Sequence, residues 1–392
     1  MSAYDKKDSW LVHYYMYRQL DHPLVPLLLV AAAYLIFLDL RLQRVDITAF
    51  IVAGEEFVER DDLPAAITIQ HPIGYDGQFY YRLALNPLTR EPVADGIRLD
   101  SPLYRHRRIL YPSLTWLLAL GQARLVPIAL VAVNFLGLAV MGGLGGSYAQ
   151  AVGKHALWGA VFALYPGFIL TLARDLTEIL EGLFILAALL ALRRERWLLG
   201  TGLLVMAVLA KETALLLPAA IFLAWLDRSR RADKGVRWYV AIVPLVFYGA
   251  WQLFMQFWWQ ASLTADVQNN IGLPFRGIIE VASSFQTFER FQRVWVTEAV
   301  GLGLVGVVTA VLLKSSQARR YEKLAWLLYS LLLIMLTSSV WVEGWAFLRA
   351  ASLFYLLAVV VLINTGRREA QALLFLISSI GWVLLAADVI KF

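Results

Sequence analysis

The sequence predicts an all-α integral membrane protein with about eleven transmembrane helices and surface-lying helices in a large first outside loop. Of its 392 residues, 60% are hydrophobic and only 16% are charged, which lies outside the range of soluble globular proteins. Apolar runs recur along the chain, and most approach the roughly 20 residues that a helix needs to cross a bilayer. Lysine and arginine concentrate in alternate connections, which indicates a regular in-and-out topology.

The apolar runs form a single polytopic domain over residues 1–392. The first run continues past the alanine-rich segment 31–33, so we expect a retained anchor rather than a cleaved signal. We find no internal repeat of 20 to 50 residues. The eleven predicted spans are 24–40, 126–147, 156–171, 176–192, 197–210, 213–227, 238–258, 298–313, 323–338, 350–364 and 370–387.

Charge distribution sets the predicted orientation. The segments 193–196 and 228–237 are rich in arginine, whereas most connections on the opposite side carry few basic residues. Because short cytoplasmic connections are basic, the N-terminus is predicted to be cytoplasmic, in a bacterial inner membrane. The net charge of +6 then reflects sidedness, and no nucleic-acid partner is expected. Two long segments, 41–125 and 259–297, are predicted to lie outside, and loops of this length usually serve a function.

The first outside loop divides into three predicted helical pieces. Residues 46–60 place apolar side chains near one face, which suits a helix lying along the membrane surface. Residues 76–84 predict a second short helix. Residues 109–120 are apolar, but counting them as a span would move the basic segment 228–237 to the outer side, so a surface-lying helix is expected instead.

Charged residues that packing does not explain concentrate at the predicted outer ends of helices and in outside loops. Carboxylates and guanidinium groups that converge on one cavity suit a reaction in which a hydroxyl loses a proton and a phosphate departs. Cysteine is absent, which excludes a disulfide framework and a thiolate metal site. The candidate residues are Asp46, Asp76, Arg105, His106, Arg108, Arg174, Glu178, Glu181, Lys211, Glu343 and Arg349.

Each candidate also has a structural interpretation. Asp76 precedes a predicted helix and could serve only as its N-cap, and Glu178 matches the third position after a capping Asp175. Glu181 lies one turn deeper, where an ionised group needs a partner such as Arg174 or Lys211. Arg349, Arg105 and Arg108 could be interfacial or solvated charges. His106 has no second histidine at metal-ligand spacing.

Two stretches carry a resemblance to a known family. GYDGQFYYRLALNP at 74–87 and LDSPLYRHRRILYPSLTWLL at 99–118 resemble the first outside loop of GT-C glycosyltransferases, especially the PIG-V-like mannosyltransferases. Elsewhere the similarity is one of layout, with many spans and a late arginine. The matching motif pairs are Tyr75-Asp76, Tyr80-Tyr81, Leu83-Ala84 and Tyr111-Pro112.

The resemblance implies a sugar carried on a polyprenyl phosphate and an acceptor that is a glycan, a lipid or a protein. It implies transfer at the outer face with inversion and Asp76 as general base. Many relatives carry the acid directly after the first span, so Asp46 is the second candidate. The residues expected at the donor phosphate are Arg349, Lys211, Arg174, Arg108 and Arg105. Those expected at the substrate are Tyr80, Tyr81, Gln78, His106, Glu178, Glu181 and Glu343.

Two other functions fit the composition. A lipid or glycan transporter, or flippase, would show internal repeats, broken helices and polar residues near the midplane. A glycan ligase would use a donor linked through pyrophosphate. A divalent cation held by Asp46, Asp76 or Glu56 is compatible with the acidic residues, although nothing in their spacing demands it.

Overall fold

The computed structural model describes residues 20–226, 236–260, 270–287, 289–342 and 346–391. The described chain is mostly helical, with four very short strands in its first long loop. The helices are α1 (Leu24–Leu42), α2 (Asp76–Leu85), α3 (Pro102–His106), α4 (Leu110–Leu118), α5 (Val126–Ala151), α6 (Gly159–Ala163), α7 (Pro166–Ala173), α8 (Glu178–Arg193), α9 (Trp197–Ala210), α10 (Leu216–Leu226), α11 (Trp238–Trp259), α12 (Arg276–Ser283), α13 (Arg290–Leu312), α14 (Arg320–Ile334), α15 (Ser338–Trp341), α16 (Ala346–Ala350), α17 (Ser352–Ile363) and α18 (Arg368–Lys391).

Helix length and composition support a helical membrane protein. Five helical segments among the described residues are long and apolar enough to cross a bilayer, namely Leu24–Leu42, Ala123–Ala151, Trp238–Trp259, Arg290–Leu312 and Arg368–Lys391. A sixth is possible if Ala156–Ala163 and Pro166–Ala173 form one span, with a bend of 54° between them. Pro166 stands at that break, where its ring prevents an unbroken ladder of backbone hydrogen bonds.

The other predicted spans contain shorter helices. Trp197–Ala210, Glu212–Leu226 and Ser352–Ile363 are apolar but too short to meet the same criterion. α17 is nevertheless buried along its entire length, so it lies at the centre of the bundle. The predicted span 298–313 begins earlier than expected, at Arg290. A total of eleven spans stays a prediction.

The predicted surface helix over 46–60 is wrong. The chain forms a short 3₁₀ helix at Ile47–Ile51 and then enters strand β1 (Ala53–Gly54), which pairs in parallel with β2 (Ile69–His71). Asp46 begins the 3₁₀ turn by accepting a hydrogen bond from the Thr48 backbone N–H at 2.8 Å. Val52 ends it in the left-handed region, with φ of 51°. A tight turn therefore replaces the amphipathic helix that the spacing suggested.

The other two predicted helices of this loop are present as α2 and α4. With nine residues, α4 is too short to cross a bilayer, and it packs against α2 and α5. A small antiparallel pair, β3 (Val93–Ala94) and β4 (Ile97–Arg98), closes the segment between α2 and α3. Of the second long loop, α12 and the start of α13 are described, and residues 261–269 and 288 lie outside the described part.

A buried ion pair holds the end of the bundle at which α8 finishes. Arg193 donates to Glu322 through Nε at 2.9 Å and Nη2 at 2.6 Å, and Glu322 has no exposed surface. Tyr148 donates to the same carboxylate at 2.9 Å, and the Arg319 backbone N–H donates to it at 2.7 Å. Arg193, which the sequence places in a basic connection, therefore clamps α8 to α14.

We expect loss of one partner of this pair to be strongly destabilising. Glu322→Gln leaves the Arg193 charge buried without a counter-charge, which should cost about 3–5 kcal/mol. The double variant R193M/E322M removes both charges and should recover most of that loss. Thermal unfolding in detergent measures the stability of the single and the double variant. Glu195→Gln, at an exposed position, is the control for loss of a carboxylate that is not buried. Equal destabilisation in the single and double variants would contradict a charge-pair role.

Candidate functional site

Two glycines allow the start of α2 to approach the bundle. Gly74 adopts φ of +76°, in the left-handed region. Gly77 lies so close to its neighbours that an added Cβ would stand 2.4 Å from the Arg174 carbonyl oxygen and 2.7 Å from that of Ile51. No side chain fits there, because both obstacles are backbone atoms. The glycines around Asp76 are therefore required to seat the N-terminus of α2 against the segment between α7 and α8.

Gln78 fixes the same turn. Its Oε1 accepts from the Gly54 backbone N–H at 3.0 Å, and its Nε2 donates to the Ile73 carbonyl at 3.0 Å. The side chain is 1% exposed. Gln78 therefore connects β1 to α2, and both its amide oxygen and its amide nitrogen form hydrogen bonds with the backbone.

Asp76, the first residue of α2, lies among three arginines. Its Oδ1 accepts from Arg105 Nη1 at 2.8 Å. Its Oδ2 lies 3.8 Å from Arg349 Nη1 and 4.0 Å from Arg108 Nη1, beyond normal hydrogen-bond length. One carboxylate oxygen is held, and the other faces two cations without a hydrogen bond from either. Asp76 retains partial exposure, at 23%.

The arginines around Asp76 are themselves fixed by carboxylates. Arg105 donates to Asp100 through Nε at 2.8 Å and Nη2 at 2.6 Å. Arg108 donates to Glu212 through the equivalent two nitrogens, at 3.0 Å and 2.6 Å. Such bidentate pairs orient a guanidinium group as well as neutralise it. Arg108 also donates to the Tyr80 hydroxyl at 3.1 Å, which links α2, the segment between α3 and α4, and the connection after α9.

Glu178 joins the site to the bundle. Its Oε1 accepts from Lys211 Nζ and from Arg349 Nη1, each at 2.9 Å. Its Oε2 is buried and has no hydrogen-bond partner among the described residues, and the same holds for Arg349 Nε. An orphaned acceptor and an orphaned donor therefore lie at the same ion-paired group. Such atoms carry a desolvation cost that a bound polar ligand would offset.

The surrounding charges keep Asp76 ionised. Burial by itself would raise the pKa of Asp76, but the positive charges of Arg105, Arg349 and Arg108 outweigh it and hold this pKa well below its usual value. For His106, burial is the main influence on the pKa. Burial lowers the pKa of His106 to about 4, so its imidazole is neutral at physiological pH.

A cavity of about 590 Å³ opens beside these residues, with Tyr75, Arg174 and Asp388 in its lining. The Arg174 guanidinium lies over the Tyr75 ring at 4.4 Å, and that of Arg349 lies 5.0 Å from the same ring. Arg174 therefore borders the Asp76 cluster through Tyr75. The cavity adjoins the charge cluster only through Tyr75 and Arg174, and its lining does not include Asp76, Glu178 or Arg349.

The remaining predicted residues lie in different settings. Asp46 is exposed and caps the first 3₁₀ turn. Tyr80 and Tyr81 are fully buried, so neither ring faces solvent. His106 Nδ1 donates to the Pro102 carbonyl at 2.7 Å, and its ring packs near Trp259. Glu343 lies outside the described residues.

Glu181 was predicted to pair with Arg174 or Lys211, but the structure gives it a different hydrogen-bond partner. It accepts a hydrogen bond from the Thr213 hydroxyl, whereas Lys211 pairs with Glu178. Thr177, rather than Asp175, is the N-cap of α8, and the Asp175 carboxyl lies near the Tyr111 hydroxyl, at 3.4 Å.

Asp100 and Glu212 stand out in the sequence as outer-side charges, but their pairing with the arginines was not predicted. Glu212 and Asp100 complete two bidentate pairs, yet neither was assigned a role. The only sequence feature that hinted at these pairs is nearness to basic residues. Glu212 follows Lys211, and Asp100 precedes the RHRR segment. Within the described ranges, no group of three or more histidine, cysteine or carboxylate side chains is arranged to hold a metal ion.

Comparisons with protein-family profiles, with curated proteins and with solved structures find no match to this chain.

Gly77→Ala tests the close approach of α2. The added methyl group meets backbone on two sides, so we expect a loss of about 1–3 kcal/mol in stability. The matched control is Gly202→Ala on α9, where an added Cβ meets nothing within 4 Å and alanine favours the helix. Thermal unfolding in detergent should separate the two variants. Equal melting temperatures would contradict the packing argument.

Asp76→Asn tests the charge state of the site. A depressed folded-state pKa gives stability that is complete above the unfolded-state pKa of ~3.9 and is lost only as pH falls through the lower folded value. The difference in melting temperature between wild type and D76N should stay constant from about pH 8 to about pH 5. Asp61→Asn, at an exposed position, is the control. A difference that shrinks steadily over this range would show that Asp76 titrates there.

Proposed function

We propose that the chain is a membrane glycosyltransferase that moves a sugar from a polyprenyl-phosphate donor to an acceptor hydroxyl, with inversion, at the non-cytoplasmic face. The proposal includes a GT-C-like arrangement of eleven spans with a cytoplasmic N-terminus. One observation carries it: Arg349, whose Nε–H has no partner in the described chain, lies beside Asp76 Oδ2, which accepts no hydrogen bond from Arg349 or from Arg108.

Asp76 acts as the general base. The acceptor oxygen attacks the anomeric carbon, the bond from that carbon to the phosphate oxygen breaks, and its electron pair leaves with the phosphate. Asp76 Oδ2 receives the hydroxyl proton. Its low pKa makes it a weak base, so proton transfer accompanies formation of the new bond. Phosphate leaves without protonation, so a single carboxylate suffices, unlike the two carboxylates of glycoside hydrolysis.

Arg349 and Lys211 stabilise the departing phosphate. Arginine offers several N–H donors in a fixed plane, and the unpaired Arg349 Nε–H supplies one of them. Glu178 already holds both cations through Oε1, which keeps them in place without a ligand and favours preorganised electrostatic stabilisation. Its free Oε2 suits a hydroxyl donor of the sugar.

A transporter or flippase is supported less well. The bent pair α6 and α7 is a broken helix of the kind that transporters use, but residues 156–173 contain no aspartate, glutamate, lysine, arginine or histidine. A ligase that uses a pyrophosphate donor would need binding groups for two phosphates. The group of Arg349, Lys211 and Glu178 offers one unpartnered donor, Arg349 Nε–H, which suits a single phosphate.

Transfer assays on the purified protein in nanodiscs test the proposal. Synthetic polyprenyl-phosphate hexoses and pentoses serve as donors, and release of polyprenyl phosphate is measured in the presence of envelope acceptors. Asp76→Asn should reduce turnover about 10²- to 10⁴-fold, the usual contribution of a general base. Donor binding should change little, because Arg349, Lys211 and Glu178 remain.

Asp46→Asn is the matched control, since Asp46 is a carboxylate of the same loop that caps a turn. The turnover of the Asp46→Asn variant should stay within a few-fold of the wild-type value. Full activity in D76N, or loss of activity in D46N alone, would remove Asp76 from the base role. Failure of every donor in the panel with wild-type protein would count against the donor class.

A further inference from the structure

A second cavity, of about 480 Å³, lies between α13 and α18, and neither Asp76 nor Glu178 lines it. Its walls are mostly apolar, and Tyr165 and Pro166 line it at the bend between α6 and α7. Leu376, Ile380 and Leu384 line one side and are each more than half exposed. Both long helices are membrane-span candidates, so this opening faces lipid.

Glu298 is an anomaly in this cavity. It lies eight residues after Arg290, about 12 Å into α13 at 1.5 Å per residue. Both of its carboxylate oxygens are buried, and neither has a hydrogen-bond partner among the described residues. A carboxyl group in a membrane span is costly and typically marks a functional site. The two orphaned oxygens require hydrogen-bond donors that the described chain does not provide.

The charges at this cavity are of both signs. Glu298 and Asp388 contribute carboxylates, and Arg290 and Arg293 contribute guanidinium groups, all four in the lining. Arg290 pairs with Asp388 at the ends of α13 and α18, which leaves Glu298 and the exposed Arg293 as the opposite charges for a ligand. A zwitterionic head group with an apolar chain matches this pattern.

We propose that the cavity between α13 and α18 is a binding site for a phospholipid with a primary ammonium head group. The ammonium donates hydrogen bonds to Glu298, the phosphate contacts Arg293, and an acyl chain lies along Leu376, Ile380 and Leu384. A quaternary ammonium has no N–H to donate and leaves Glu298 unsatisfied. The site therefore distinguishes ethanolamine from choline head groups by hydrogen bonding rather than by charge.

The site also contacts the segment that carries Arg349. Leu348 lines the cavity, and the Tyr165 hydroxyl donates to the Leu348 carbonyl at 2.8 Å. A lipid bound here packs against α16, one residue away from the cation that pairs with Glu178.

Photo-crosslinking in nanodiscs tests the proposal. The probes are phosphatidylethanolamine and phosphatidylcholine with the same diazirine-bearing acyl chain, and mass spectrometry maps the labelled peptides. Labelling of α13 and α18 should favour the ethanolamine probe about tenfold, as expected for a hydrogen bond to a charged group. Glu298→Leu should abolish this preference and leave labelling by the choline probe unchanged.

Two glycines of α13 provide a matched pair of variants. An added Cβ at Gly301 or at Gly303 meets nothing within 4 Å, and Gly301 lines the cavity whereas Gly303 does not. Gly301→Phe should therefore fill the cavity and reduce ethanolamine labelling about tenfold, and Gly303→Phe should not.

Three results would overturn the proposal. They are equal labelling by the two probes, the same loss of labelling in both glycine variants, and displacement of the ethanolamine probe by an equimolar polyprenyl phosphate. The last result would assign the cavity to a donor chain instead. Transfer activity is not the readout, so failure here is distinct from failure of the proposed function.

Discussion

Charges buried at the end of a helical bundle must be paired, and this requirement ties the first long loop to the helices. Asp76 in the loop meets Arg349 just before α17, and Arg349 meets Glu178 at the start of α8. Lys211, after α9, shares the same Glu178 oxygen. Four segments far apart in sequence thus converge through unlike charges. Gly77 makes the convergence possible, because any side chain there would collide with the backbone of Arg174 and Ile51.

The two ends of α8 show how a structural ion pair differs from a site. At one end, both oxygens of Glu322 are occupied, by Arg193, Tyr148 and the Arg319 backbone. At the other end, Glu178 uses only one oxygen and leaves the second buried without a described partner. A satisfied buried network serves packing and specificity, whereas a buried polar atom without a partner calls for a further one, such as a ligand, an ion or water. This contrast is the reason that we propose a functional role for the Asp76 end.

The sequence predicted the parts of the fold that depend on local pattern. Long apolar runs located α1, α5, α11 and α18, and the aromatic-Asp motif located α2. Arg349, Arg105 and Arg108 were selected as candidates, and the structure brings all three to Asp76. Pairings across long separations could not be read from one chain, so Glu212 as the partner of Arg108 was missed. The helix expected over 46–60 does not form, although the apolar spacing favours it. The Asp46 side chain caps a short 3₁₀ turn, and the left-handed backbone of Val52 ends that turn.

The central claim is that Asp76 accepts the proton of the attacking hydroxyl while Arg349 binds the departing phosphate of the same sugar. A structure with a non-transferable polyprenyl-phosphate sugar analogue bound tests it most directly. The account predicts a phosphate oxygen within hydrogen-bond distance of Arg349 Nε and the anomeric carbon facing Asp76 Oδ2. A phosphate bound elsewhere, with the contacts of Asp76, Arg349 and Glu178 unchanged, would contradict it.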